Sequence, residues 1–145
     1  MDIRDFERED INVYLEMSND FYASIHTKIL MRHLALTFNL CIEKSPHIRG
    51  LIFEITNIPI GFSLLTFTYS NELGGLCLWI DEIYISPDYQ NKGLTRKFID
   101  FLLSEYKDKV KIISLEVEES NMHAINVYKH LGFRDAENKS MYRWV

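Results

Sequence analysis

The stretch Leu78–Phe101, LWIDEIYISPDYQNKGLTRKFIDF, decides the architecture. It reads as an apolar strand, a short proline turn, a polar glycine turn and an amphipathic helix. Leu94, Phe98, Phe101 and Leu102 recur at the spacing of a helix with one buried face. A strand that feeds a helix in this way aims the free N–H groups of the helix N-terminus beyond the strand end. Those groups, with the helix dipole, make a ready site for an anion. Gly93 allows the backbone to approach such an anion closely, and Lys92 and Arg96 could add charge at its rim. Taken alone, the same residues describe an ordinary glycine turn with solvated cations. Asp81 and Glu82 are adjacent carboxylates inside an apolar strand, where burial without partners is unfavourable. In a regular strand they point to opposite faces.

A second stretch adds specificity. Leu115–Phe133, LEVEESNMHAINVYKHLGF, reads as the end of a strand followed by a helix from Asn121 to Leu131. Gly132 suits the end of that helix. The turn Gln90-Asn91-Lys92-Gly93-Leu94-Thr95 resembles the pyrophosphate-binding turn of the GNAT superfamily of N-acetyltransferases, Arg/Gln-x-x-Gly-x-Gly/Ala. The second stretch resembles that family's Asn-x-x-Ala-x-x-x-Tyr-x-x-x-Gly-Phe signature. The two occur in the family's order and spacing. Thr95 departs from the pattern, because the family carries a smaller residue there.

The resemblance implies an α/β fold over residues 1–145 as one acetyltransferase-type domain, with a mixed, mostly antiparallel central sheet flanked by helices. It implies an N-acetyltransferase that uses acetyl-CoA as co-substrate. The backbone of Ile83, Tyr84 and Ile85 would pair with the pantetheine arm as an added strand and hold the thioester carbonyl. Gln90, Asn91, Lys92, Gly93, Leu94, Thr95 and Arg96 would hold the pyrophosphate. Asn121 would order the loop or meet the arm, and Ala124 would leave room for the coenzyme. Asn121 also suits a plain helix cap. Tyr128 matches the family's general acid, which protonates the departing thiolate. Family members acting on polyamines and aminoglycosides carry an acidic residue matching Asp81, which binds the substrate ammonium or takes its proton. An alkylammonium titrates near ~10, so it must lose a proton before it attacks. The expected catalytic residues are therefore Tyr128 and Asp81, with Glu82 behind Asp81. The resemblance also implies a strand that commonly bulges here, which would change the faces that the two carboxylates take. A salt bridge or another fold role is the plain alternative for Glu82.

The expected reaction is direct attack by a primary amine in a ternary complex, since no cysteine lies in either motif. A polyamine-like amine is the first choice of acceptor. A protein or peptide amine is an alternative, and Thr95 keeps open a non-catalytic acyl-CoA sensor.

Composition agrees with this class. The chain has 145 residues, 47% apolar and 26% charged, and a formal net charge of −5. That charge argues against nucleic acid as the main partner. No apolar run reaches the length of a membrane span, and MDIRDFERED lacks the apolar stretch of a signal peptide. A cytoplasmic protein is expected, with Cys41 and Cys77 as buried thiols. Many relatives are dimers, which is compatible with a homodimer here. His26 and His33, and His123 and His130, lack zinc-type spacing, so no metal is expected.

The remaining elements follow from period and punctuation. Ile3 opens a short strand. Asp10 suits the N-cap of a helix from Ile11 to Tyr22. A second helix is expected from Lys28 to Cys41, apolar around much of its surface and so well packed. Strands are expected over Leu51–Thr56, Ile60–Tyr69, Leu76–Ser86, Val110–Val117 and Met141–Val145. Phe21, Tyr22, Phe67 and Tyr69 could line an acceptor pocket, although core packing is the commoner fate of such residues.

Overall fold

The structure is a computed structural model that describes residues 1–137 and 141–144. Strand β1 (Asp2–Asp5) leads through a single turn at Arg8–Asp10 into helix α1 (Ile11–Ser24) and helix α2 (Met31–Ile42). Strands β2 (Ile48–Ile55), β3 (Ile58–Ser70) and β4 (Gly75–Ile85) follow, then α3 (Leu94–Glu105), β5 (Ile112–Leu115) and α4 (Met122–His130). The five strands lie in chain order in one sheet. The first four pair antiparallel, and β5 runs parallel to β4. The expected mixed, mostly antiparallel sheet with flanking helices is therefore present. Among the described residues, no helix is long and apolar enough to cross a membrane.

The sheet buries both faces. On one, Leu94, Phe98, Ile99 and Leu102 of α3 pack on Leu51, Phe53, Leu65, Leu78 and Ile80. On the other, Tyr14 and Met17 of α1 and Leu34 and Phe38 of α2 cover Ile52, Phe62, Leu64 and Tyr84. The Phe6, Tyr14, Phe38 and Phe62 rings meet at 5.0–5.6 Å, within the range of favourable aromatic pairing.

One residue changes what β4 presents. Leu65 pairs with Ile80 but Leu64 pairs with Glu82, so Asp81 is an extra residue on β4. Such a bulge moves the following side chains to the opposite face. Leu78 and Ile80 accordingly lie in the α3 core, whereas Tyr84 lies in the α1–α2 core and Glu82 faces α1. Without the bulge, Glu82 would fall on the same face as Ile80.

Several expectations require correction. Asp10 stands at the N-cap position of α1, but its side chain makes no capping bond there. It instead accepts from Arg4 at 2.6 and 2.9 Å and from the Glu7 N–H at 2.7 Å. The second helix starts at Met31, three residues late, and is not packed all round: Leu36 is 61% exposed. The strand expected from Val110 begins at Ile112, because the Val110 N–H still closes the turn after α3 on the Tyr106 carbonyl. No strand forms over Met141–Trp144, whose large side chains stand exposed without burial to favour an extended backbone. Val145 lies outside the described residues. Cys41 and Cys77 are only half-buried, although burial is the main force raising the Cys41 thiol to about 12. Gly132 closes α4 as expected. Its φ is +94°, the Phe133 N–H bonds to the Tyr128 carbonyl, and the Gly132 N–H bonds to the Lys129 carbonyl.

Candidate functional site

The site starts where β4 and β5 part. Their pairing ends at Ile80 and Leu115, yet β4 continues to Ile85. The edge that β5 covers further back is therefore uncovered from Asp81 to Ile85. An uncovered strand edge can accept an extended amide chain as an added strand.

Beyond the strand, Pro87–Tyr89 form one tight turn, and Gln90 returns its side-chain amide to the Ile85 carbonyl at 2.8 Å. Asn91 and Gly93 adopt left-handed backbone, φ +58° and +72°. Nothing lies within 4 Å of where a Cβ on Gly93 would be, so conformation and the space above the turn, not crowding, favour glycine. Leu94 is buried in the core and anchors the first turn of α3. The N–H groups from Asn91 to Arg96 have no backbone acceptor among the described residues. They form the free donors expected at a helix N-terminus. Lys92 and Arg96 are exposed, Thr95 is half-buried, and the Lys92 ammonium lies 5.2 Å from the Tyr89 ring centre.

A cleft of about 640 Å³ opens against this edge. Ile83, Tyr84, Ile85 and Gln90 form one wall, and Asn121 contributes from the start of α4. Asp20, Phe21, Ala23, Ser24 and Ile25 at the end of α1 form the other wall. Five expected site residues thus meet at one cleft. Asn121 also caps α4, accepting from the Ala124 N–H at 3.1 Å, so both readings of Asn121 hold locally. Asp81, Glu82, Lys92, Gly93, Thr95, Arg96, Ala124 and Tyr128 do not line this space. Tyr128 is half-buried against Phe133, with ring centres at 5.6 Å. Burial raises its phenol, and its hydroxyl has no hydrogen-bond partner among the described residues. Phe21 lines the cleft, whereas Phe67 and Tyr69 border a separate hollow with Pro46 and Leu76.

The two carboxylates differ sharply. Asp81 is exposed at the bulge, where desolvation by the surrounding chain, then the nearby Glu116 charge, raise its carboxyl. Glu82 is 7% exposed. Burial pushes it up to about 7, the Tyr22 hydroxyl opposes that rise, and the Asp81 charge adds to it. Glu82 forms no ion pair, and its Oε1 accepts from the Tyr22 hydroxyl. A phenol stands where the alternative reading of Glu82 would have a cation. Sequence reasoning missed the α1 side of this arrangement. Tyr14, Ser18 and Tyr22 recur every fourth residue, which places three hydroxyls on one helix face. That spacing was the available signal.

The profile of the acetyltransferase (GNAT) family matches residues 12–133. The spermine/spermidine N(1)-acetyltransferase of Bacillus subtilis (strain 168) is 37% identical over 87 residues, which cover 59% of this chain and 57% of that protein. The ribosomal protein bS18-alanine N-acetyltransferase of Escherichia coli (strain K12) is 39% identical over 61 residues, 41% of each chain. The chain thus spans about half the length of these curated relatives. Among solved structures, aminoglycoside N-acetyltransferase AAC(6')-Iy in complex with CoA superposes with a TM-score of 0.81 at 15% identity, covering 99% of this chain and 93% of the other. A ribosomal-protein-alanine N-acetyltransferase from Brucella melitensis biovar Abortus 2308 superposes with a TM-score of 0.77 at 14% identity, covering 99% and 100%. Likeness at that identity speaks for the fold.

Proposed function

The chain belongs to the GNAT family of acetyltransferases, and from that premise we propose that it transfers an acetyl group from acetyl-CoA to a small primary amine by direct attack. The observation that carries this reading is the uncovered β4 edge running straight into the Gly93 turn. A coenzyme laid along Ile83–Ile85 would bring its pyrophosphate to the N–H groups of Asn91–Arg96. The strand N–H groups would polarise the thioester carbonyl. The amine enters from the α1 wall and gives its proton to Asp81, or to Glu82 through an intervening group. The nitrogen then bonds to the acetyl carbon, the carbon–sulfur bond breaks, and Tyr128 supplies a proton to the departing thiolate, while the nitrogen gives up its second proton, which restores the phenol.

A polyamine-like acceptor is favoured by one carboxylate in the cleft wall and another beside it. Asp20 lies in the cleft wall and Asp81 at the bulge, and neither forms an ion pair among the described residues. The polyamine and ribosomal-protein relatives leave a peptide amine as the second acceptor class.

Thiol release from acetyl-CoA against a panel of mono-, di- and polyamines tests the reading, with the native chain and Tyr128→Phe side by side. Amine-dependent release that falls by about a hundredfold in the variant is the expected result. Coenzyme binding without release for any amine or peptide would reject the enzyme and leave a coenzyme-binding module.

A further inference from the structure

The two walls of the cleft are joined by a crossed pair of polar contacts. The α1 wall presents Asp20 and Tyr22, and the β4 wall presents Tyr84 and Glu82. Tyr22 donates to Glu82 Oε1, and the Tyr84 hydroxyl donates to Asp20 Oδ2 at 3.4 Å. Asp20 and Tyr84 line the cleft, while Tyr22 and Glu82 do not. Ser18 and Tyr14 lie one and two turns back from Tyr22 along α1 and are fully buried. Among the described residues, Glu82 Oε2 has no hydrogen-bond partner, and the Tyr14 hydroxyl and Ser18 Oγ have none outside each other. Buried polar groups are ordinarily satisfied, so Glu82 Oε2 is the unpaired atom of this α1–β4 seam.

This seam holds the end of a helix whose Phe21 and Tyr22 pack against the α1–α2 core. After Ser24 the chain enters an exposed stretch, with His26 in left-handed backbone. Phe21 also meets the Phe62 ring, with ring centres 6.4 Å apart. This same helix end supplies Asp20, Phe21, Ala23, Ser24 and Ile25 to the cleft.

We propose that Tyr22 is a positioning residue for the acceptor: its hydrogen bond to Glu82 fixes the α1 wall against the bulged part of β4 and so sets how the amine meets the strand edge. This rests on the acetyltransferase reading of the cleft. A hydroxyl bonded to an ionised carboxylate is held more strongly than one bonded to a neutral acid. The contact therefore tightens as pH rises through about 7, where Glu82 ionises. The groups facing Glu82 are Tyr22 and Tyr14 of α1 and Asp81 of its own strand. Those facing Tyr22 are Glu82, Asp81 and Tyr14, and Tyr14 also faces Cys41 of α2.

Tyr22→Phe removes the hydroxyl and keeps the ring. Its acceptor KM should rise about tenfold, with coenzyme Kd unchanged. The acidic limb of kcat/KM for the acceptor should move to higher pH, because the Tyr22 hydroxyl opposes the rise of Glu82. Amide hydrogen exchange over Asp20–Ile25 should quicken, while the rest of the chain keeps its protection. Glu82→Gln keeps a neutral acceptor for Tyr22 but cannot ionise, so it should abolish the limb and hold acceptor KM at all pH near the value that the native chain shows below pH about 6. An unmoved limb, or equal weakening of acceptor and coenzyme, would overturn the proposal. If the native chain acetylates no amine, the acetyl-transfer reading fails separately. Exchange over Asp20–Ile25 then decides alone: faster in Tyr22→Phe supports the contact, and unchanged rejects it.

Discussion

At Glu82, burial favours the neutral carboxyl, while the hydrogen bond from Tyr22 favours the charged one. Burial wins and holds the group at about 7. The linkage sign follows from that direction. The folded chain binds the Glu82 proton more tightly than the unfolded chain, so this stabilising term is complete below the ordinary glutamate range near ~4.3 and is lost as pH rises through about 7. Glu82→Gln should therefore flatten the pH dependence of stability in that window. It should melt higher than the native chain at pH about 8, by up to about 3 kcal/mol. Thermal melts across that range check this, and a parallel pH dependence in both proteins would refute it. Asp81 answers to a different environment. It is exposed, it has Glu116 as a neighbour, and it lies beside the uncovered strand edge. Asp81→Asn should lower turnover about a hundredfold and leave coenzyme affinity nearly native. Unchanged turnover would remove Asp81 from the mechanism.

The glycine turn and the helix behind it act as one element. Gly93 has φ +72° with open space where a Cβ would stand, so its demand is conformational. Asparagine tolerates that backbone far better than alanine does. Gly93→Ala should lose about 1 kcal/mol of stability. Gly93→Asn should keep its melting temperature but place a side chain over the free N–H groups, so coenzyme affinity falls in both. If Gly93→Asn binds coenzyme like the native chain, the turn does not hold the pyrophosphate. This element was legible in the sequence because each of its signals is local: the proline turn, the glycine, and the spacing of Leu94, Phe98 and Leu102. The bulge at Asp81 came only with the family resemblance. Asp81 and Glu82 interrupt the apolar run from Leu78 to Ile85, but two adjacent polar residues do not show that one of them is extra, and only pairing with Leu64 and Leu65 places it. The hydroxyl face Tyr14–Ser18–Tyr22 was hidden for a related reason. Its meaning depends on Glu82, sixty residues beyond Tyr22, reaching the opposite face. The expected strand failed over its described part, Met141–Trp144, in the other direction, because a run of large side chains does not by itself provide a partner.

Charge acts across the whole molecule. The formal charge is −5, and the ion pairs among the described residues lie away from the cleft. Arg4 joins Asp10 and Glu54, Arg49 joins Asp5 and Glu105, and the remaining pairs involve Lys109 and Lys129. Among the described residues, the carboxylates around the cleft have no such cation: Asp20 on its wall, Glu16 close enough to influence Tyr84, and Asp81 with Glu116 at the strand split. An acidic opening of this kind draws a polycation more strongly than a monocation, because every added charge feels the same field. Salt should weaken that preference. From about 0.01 M to about 0.15 M ionic strength, the screening length falls from about 30 Å to about 8 Å. The acceptor KM of a tri- or tetra-amine should therefore rise more steeply than that of a monoamine over this range. Asp20→Asn should reduce the difference in slope while leaving the monoamine nearly unaffected. Steady-state rates at fixed saturating acetyl-CoA measure both slopes directly. Equal slopes for the two amines would show that net acceptor charge is not recognised, and would shift the acceptor reading from polyamines towards a peptide amine held by its backbone.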